Sequence, residues 1–278
     1  MKLPDDFRFS QSSLQDFADC RRRFYLRHIS RLAWPAVESE PVLEHERAMQ
    51  MGTDFHRLAQ QRLIGIPSER LSALIHDPEL HSWWTNFVDY LPQVAALDDR
   101  TYPETVLTAP LAGCHLVAKY DLIVATKDAR LLIYDWKTAR QPTKRQYLEK
   151  RLQTRLYPYL LARAGAHLNQ GQPVSPQQVE MVYWFAAGEG AVERFPYSAA
   201  AYQADQSYLT NLIETIQGLG ESEFPMTSDE RRCAYCVYRS LCERGERAGD
   251  LEAFEAEATL DSPAGFDIDF EQVAEIEF

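Results

Sequence analysis

The chain has 278 residues, 45% of them hydrophobic and 12% aromatic, enough apolar material for a sizeable core in one domain, with or without an insertion. No apolar stretch reaches the roughly 20 residues that span a bilayer, and residues 1–10 lack the apolar segment of an exported chain, so no membrane contact and a cytoplasmic location are expected. The net charge of −12 is uneven: residues 250–278 hold ten acidic residues and no basic one, leaving 31 acidic against 29 basic before them.

Taken in chain order, a helix is expected over 10–27, capped by Ser10 or Ser12, then a loop through Pro35 and Pro41. A helix over 52–63 carries His56, and residues 66–103 read as a helical insertion around Trp83 and Trp84, with strands beginning near Thr105. Residues 116–124 read Leu-Val-Ala-Lys-Tyr-Asp-Leu-Ile-Val, free of Pro and Gly and rich in β-branched and aromatic side chains, hence a strand. Lys127-Asp128-Ala129-Arg130 is a polar turn, and the apolar run Leu131-Leu132-Ile133-Tyr134 opens the next strand, so a hairpin is expected. A helix over 146–164, strands over 179–185 and 192–197, and a helix over 199–219 follow. The order predicts a mixed α/β core, a small central sheet flanked by helices, without internal repeats.

The hairpin carries the chemistry. In a strand Asp135 and Lys137 point one way and Trp136 the other, and Asp121 on the neighbouring strand is placed to meet them. Charges gathered on one sheet face need compensation, and two carboxylates suggest a divalent cation. Asp121 and Asp135 are hard oxygen ligands for Mg²⁺ or Mn²⁺, and an imidazole from His56 would favour Mn²⁺. Lys137 suits a role beside attacking water and a phosphoryl group. Glu104, on the preceding strand, could bind a second ion or a water. Singly, each signal has an ordinary reading: a surface ion pair, a half-buried histidine, a packed helix face.

In order, Gly52-Thr53-Asp54-Phe55-His56, Asp121, Asp135-Trp136-Lys137 and Gln153-Thr154-Arg155-Leu156-Tyr157 resemble the PD-(D/E)xK nucleases, and more narrowly the RecB-like and CRISPR-associated exonuclease branch. Tyr120 stands where the family name has proline. The resemblance spans about residues 10–245 and implies a restriction-endonuclease-like domain over 1–249. It implies that the Trp136 carbonyl adds a metal ligand, and that Gln153 and Tyr157 orient substrate or nucleophile. It also implies a metal-dependent DNA exonuclease preferring single-stranded ends. The alternatives are a nuclease-fold DNA-binding subunit, or an adaptor, within a larger helicase, repair or CRISPR complex. No Gly-x-x-x-x-Gly-Lys-Ser/Thr segment occurs, so unwinding would fall to a partner.

Cys233, Cys236 and Cys242 cluster in the segment 230–245, and Cys20 stands far upstream. A chain of this size and kind argues against a disulfide framework, so four thiolates read as ligands for Zn²⁺ or an iron–sulfur cluster. The resemblance implies a [4Fe–4S] cluster that staples the N- and C-terminal parts together. Cys114 reads as an ordinary buried thiol.

Basic residues gather at Arg21-Arg22-Arg23 with Arg27, at Lys144-Arg145 through Lys150-Arg151 and Arg155, and at Arg231-Arg232, which could line a backbone-tracking groove or be solvated helix faces. The acidic tail 250–278 interleaves Phe254, Phe266, Ile268, Phe270, Ile276 and Phe278 with its carboxylates. It reads as disordered or partner-binding, or as a mimic of single-stranded nucleic acid docking on the chain's own basic surface.

Overall fold

Capping residues and periodicity account for most element boundaries. The computed structural model describes residues 3–4, 7–32, 40–138, 143–187, 190–220, 223–234 and 236–245; the tail lies outside them. A short strand, β1 (Arg8–Phe9), precedes α1 (Gln11–Asp19), whose cap is reciprocal: Ser10 Oγ accepts from the Ser13 amide and Ser13 Oγ from the Ser10 amide. The single helix expected over 10–27 is broken. Cys20 is extended at φ −158°, and α2 (Arg21–Phe24) and a π-helical turn (Tyr25–Ile29) follow it. Around the break, Asp16 pairs with Arg23 and Arg27, and Asp19 pairs with Arg23 and Arg232. Satisfying these buried carboxylates prevails over helix continuity.

α3 (Glu40–Leu63) carries His56 and takes in Pro41, which sequence pattern puts in a loop; proline's fixed φ suits a helix's first turn. After α4 (Ser68–Ser72), α5 (Pro78–Ala95) starts where Asp77 accepts from the amides of Glu79 and Leu80. It buries Leu80, Trp83, Trp84, Phe87, Tyr90 and Val94 at helical spacing, each contributing about 1.5–3 kcal/mol relative to exposure. No helix among the described residues is long and apolar enough to cross a membrane.

Strand structure resumes at Asp98, earlier than Thr105, so the helical part of the insertion ends at Ala95. β2 (Asp98–Leu111) runs antiparallel along the whole of β3 (Cys114–Thr126), and as an edge strand it accommodates Pro103 and Pro110. On the other edge of β3, β1 pairs with His115 and Leu116, while β4 (Leu131–Lys137) forms the expected hairpin from Leu122↔Tyr134 to Ala125↔Leu131. The helix expected over 146–164 is two helices, α6 (Arg145–Leu148) and α7 (Leu152–Ala164), with Arg151 extended between them at ψ 141°. They carry the chain across to β5 (Val179–Phe185), which lies parallel to β4, and β6 (Val192–Pro196) closes the order β1-β3-β4-β5-β6. α8 (Ala199–Gly218) then packs back, its Leu209, Ile213 and Ile216 buried.

The sheet divides two apolar layers. Leu14 and Phe17 of α1, Leu156 and Tyr159 of α7, and Leu209 and Ile213 of α8 cover one face. Phe55 and Leu58 of α3, with Trp83, Trp84 and Phe87 of α5, cover the other. This is a mixed α/β fold consistent with the restriction-endonuclease-like expectation. One irregularity matters for chemistry. Tyr120 belongs to the first layer and Leu122 to the second, although alternation would put both on one face. Side-chain alternation in β3 changes phase at Asp121 without a shift of register, and opposite it Glu104 of β2 is held left-handed at φ 51°, between the pairs Pro103↔Leu122 and Thr105↔Tyr120.

Candidate active site

Period-two alternation puts Asp135 and Lys137 on the face of β4 turned to α7, and Trp136 in the layer of α3 and α5. Lys137 Nζ lies 3.0 Å from Asp135 Oδ2. Gln153, in the first turn of α7, completes the group: Nε2 donates to Asp135 Oδ1 at 2.5 Å, and Oε1 accepts from Lys137 Nζ at 2.8 Å. Asp135 is 6% exposed and Gln153 2%, so the three form a ring of charge-assisted bonds largely out of water.

Asp121 enters from β3. Past Leu122↔Tyr134 the hairpin strands part, and the Asp121 carboxylate occupies the opening. Its Oδ2 accepts the Trp136 N–H at 2.8 Å, and its Oδ1 lies 3.3 Å from His56 Nδ1. Burial opposes charge on both groups, yet the Asp121 carboxylate lifts His56 above the usual imidazole range, and the imidazole with the Trp136 N–H holds Asp121 below the usual carboxylate range. The charges of Asp135 and Lys137 also reach His56. Of the side chains expected to converge, the structure brings together two pairs, His56 with Asp121 and Asp135 with Lys137. Among the described residues, however, no three of His, Cys, Asp and Glu are already arranged to hold a metal ion: the acids are closed onto protein partners.

Tyr157 is held through Tyr120, the residue before Asp121: their ring centroids are 4.9 Å apart, and the Tyr157 carbonyl accepts the Tyr120 hydroxyl at 2.9 Å. Glu104 lies 2.5 Å from Lys119 Nζ, and burial together with the nearby Asp121 charge pushes its carboxyl up. Sequence pattern does not single out Tyr183 and Thr154, which join the site. Lys137 Nζ sits 5.4 Å from the Tyr183 ring centroid, and the Tyr183 hydroxyl is 2.7 Å from Thr154 Oγ1. The parallel pairing Asp135↔Tyr183 brings Tyr183 here, and parallel partners are distant in sequence.

The sequence profile of the PD-(D/E)XK nuclease superfamily matches residues 8–243, from β1 to the last of the clustered cysteines. The chain belongs to that superfamily. Among solved structures, this nuclease is similar to an Eubacterium rectale protein named "Putative exonuclease", with a TM-score of 0.52, 11% identity, and coverage of 83% of this chain and 91% of that one. SSO0001 aligns with a TM-score of 0.42 and 13% identity over 87% of this chain and 88% of that one. The first likeness supports the fold. No curated protein matches the sequence.

The nuclease has a second group of interest. Cys20, Cys233, Cys236 and Cys242 are free thiols within electrostatic reach of one another: burial first, then the charges of Cys20 and its neighbours, raise Cys233, Cys236 and Cys242, while Arg23 works to lower Cys233 and Cys236. Protein contacts already join the two segments. Arg232 pairs with Asp19, the Arg22 amide donates to the Pro225 carbonyl at 3.1 Å, and the Tyr238 hydroxyl donates to the Leu32 carbonyl at 2.8 Å. Cys114 stands apart and half-buried, accepting from Gln217 Nε2 at 3.0 Å. The basic clusters are less available than a groove lining requires. Arg23 and Arg27 are spent on Asp16, Arg155 on Asp205 at 2.6 Å, and Arg145 on Glu193 at 2.8 Å.

Proposed function

We propose that this nuclease is a divalent-metal-dependent deoxyribonuclease that shortens single strands from an end, leaving 5′-phosphate and 3′-hydroxyl groups. The observation that carries the reading is the buried ring of Asp135, Lys137 and Gln153 with Asp121 and His56 beside it. Two carboxylates and an imidazole are the donor types that suit a hard or borderline divalent ion, and the Trp136 carbonyl would add a further oxygen. Bound Mg²⁺ or Mn²⁺ would polarise the phosphoryl oxygen and lower the pKa of water.

The chain's own residues supply the rest. Lys137, fixed by Asp135 and Gln153, offsets the negative charge that builds on the phosphoryl group during attack. Gln153 holds acid and ammonium in register, and Tyr157, anchored on Tyr120, orients the strand. An imidazole among the ligands favours Mn²⁺, so activity with Mn²⁺ should match or exceed that with Mg²⁺. Cys20, Cys233, Cys236 and Cys242 would be the thiolate ligands of a [4Fe–4S] cluster, with Zn²⁺ the alternative, and the centre would act as a cross-link once they close on it. A reducing cytoplasm suits such thiolates.

The test is cleavage of end-labelled single-stranded DNA with Mn²⁺, comparing wild type with Lys137→Ala and Asp121→Ala. Wild type should shorten the strand, and each variant should lose about 100-fold or more in rate while still binding it. Uncut strands with folded wild-type protein would remove the enzyme reading. A strand bound but uncut would then mark a binding subunit; a strand ignored would mark an adaptor.

A further inference from the structure

Arg151, between α6 and α7, is 5% exposed, and its Nε is buried with no hydrogen-bond partner among the described residues. Arg23 and Arg239 also have an Nε without a hydrogen bond, but the guanidinium of Arg23 meets Asp16 and Asp19, and Arg239 Nη1 donates to the Cys236 carbonyl. A guanidinium cannot shed its proton, so burying its Nε–H without an acceptor is costly unless something else supplies the acceptor.

Its position says what that would be. Arg151 is the N-cap residue of α7, a helix of 13 residues, and no side chain caps the first-turn amides. The two polar side chains of that turn are engaged elsewhere: Gln153 faces Asp135 and Lys137, and Thr154 Oγ1 donates to the Leu148 carbonyl and meets the Tyr183 hydroxyl. Free amides and the positive end of the helix dipole therefore accompany the guanidinium. Arg151 stands two residues before Gln153 of the ring, and its charge, like that of Lys137, reaches Tyr183, opposing the upward push of burial and of Asp135. Asp135, the carboxylate facing this place, is compensated by Lys137 and Gln153. Lys144 and Lys150, both exposed, flank α6.

We propose that Arg151 and the first turn of α7 form a phosphate-binding subsite beside the Asp135–Lys137–Gln153 ring, which takes a phosphate of the nucleic-acid strand adjoining the bond being cut. The assignment of a strand as ligand rests on the nuclease reading; the affinity for phosphate does not. The guanidinium fork and the helix N-terminus are both suited to phosphate oxygens.

The experiment uses the full chain as purified, with no Mg²⁺ or Mn²⁺ added, as wild type, Arg151→Gln and Arg151→Lys. Inorganic phosphate should raise the melting temperature of wild type and leave that of Arg151→Gln unmoved. Arg151→Gln should bind a single-stranded oligonucleotide about 10- to 100-fold more weakly, and its slope of log K against log salt should shrink by about 0.7. Arg151→Lys should recover the slope and only part of the affinity, because it keeps the charge and loses the fork. An equal loss with 5′-hydroxyl and 5′-phosphate strands assigns the subsite to an internal phosphodiester, and a loss confined to the phosphorylated strand assigns it to the end phosphate. Unchanged affinity and slope in a folded Arg151→Gln protein overturns the subsite, as does phosphate stabilising both proteins equally. An uncut substrate with wild type would count against the enzyme, whereas the phosphate shift is read without added metal or turnover.

Discussion

One amide serves two charges at Gln153. Its nitrogen holds Asp135 and its oxygen holds Lys137, so neither can rotate without breaking a charge-assisted bond. Gln153→Leu is nearly isosteric but offers neither bond. It should lower single-turnover cleavage about 10- to 100-fold and stability by about 1–3 kcal/mol, read from quench-flow on labelled DNA and from urea unfolding. Cleavage at the wild-type rate would show that Asp135 and Lys137 hold their places unaided. Much of this site is legible in sequence: alternation alone makes Asp135 and Lys137 neighbours, and the polar turn 127–130 brings Asp121 beside Asp135. Tyr183 is not, because its place depends on a parallel pairing across a long connection. Nor is the change of alternation at Asp121, where Glu104 on another strand stands opposite in the left-handed region.

Among elements, the reading fails wherever side-chain pairing interrupts a helix. β3, β4 and β5 and helices α5 and α8 follow from strong periodicity or capping, whereas the breaks at Cys20 and Arg151 lie inside runs whose pattern is helical. The first break is maintained by Asp16. Burial would raise its carboxyl, but Arg23, Arg27 and His28 hold it far below the ordinary value of 3.8. A carboxyl depressed in the folded state adds stability above its unfolded value and loses it as pH falls toward the folded one. Wild type should therefore weaken steadily below about pH 4. Asp16→Asn should flatten that part of the curve and cost about 3–5 kcal/mol at neutral pH, since Arg23 loses a buried partner. Urea midpoints between pH 3 and 7 measure both, and a variant whose curve runs parallel to wild type at every pH would assign the acid sensitivity elsewhere.

At the scale of the whole molecule, the described segments around Cys20 and around Cys233 to Cys242 meet at the edge of the first apolar layer. Among the described residues the contacts joining them are polar and aromatic: the Asp19–Arg232 pair, two hydrogen bonds from Arg22 and Tyr238, and buried Phe224 packed on Phe17, Phe24 and Tyr25. The polar ones contribute only about 0.5–3 kcal/mol each, and the entropy of closing a loop from Cys20 to Cys242 opposes them all. A four-thiolate centre would remove that entropy from the unfolded state at once, by about 4–5 kcal/mol for a loop longer than 100 residues. Anaerobically purified protein should be brown, and Cys236→Ser should be colourless and melt roughly 10 °C lower. Cys114→Ser, altering a thiol outside the group, should keep both colour and melting temperature. The two readouts separate the ion from the staple. A colourless wild type that holds zinc and shows the same drop keeps the cross-link and replaces iron; a metal-free wild type melting alongside Cys236→Ser leaves the Asp19–Arg232 pair and its neighbours as the whole of the closure.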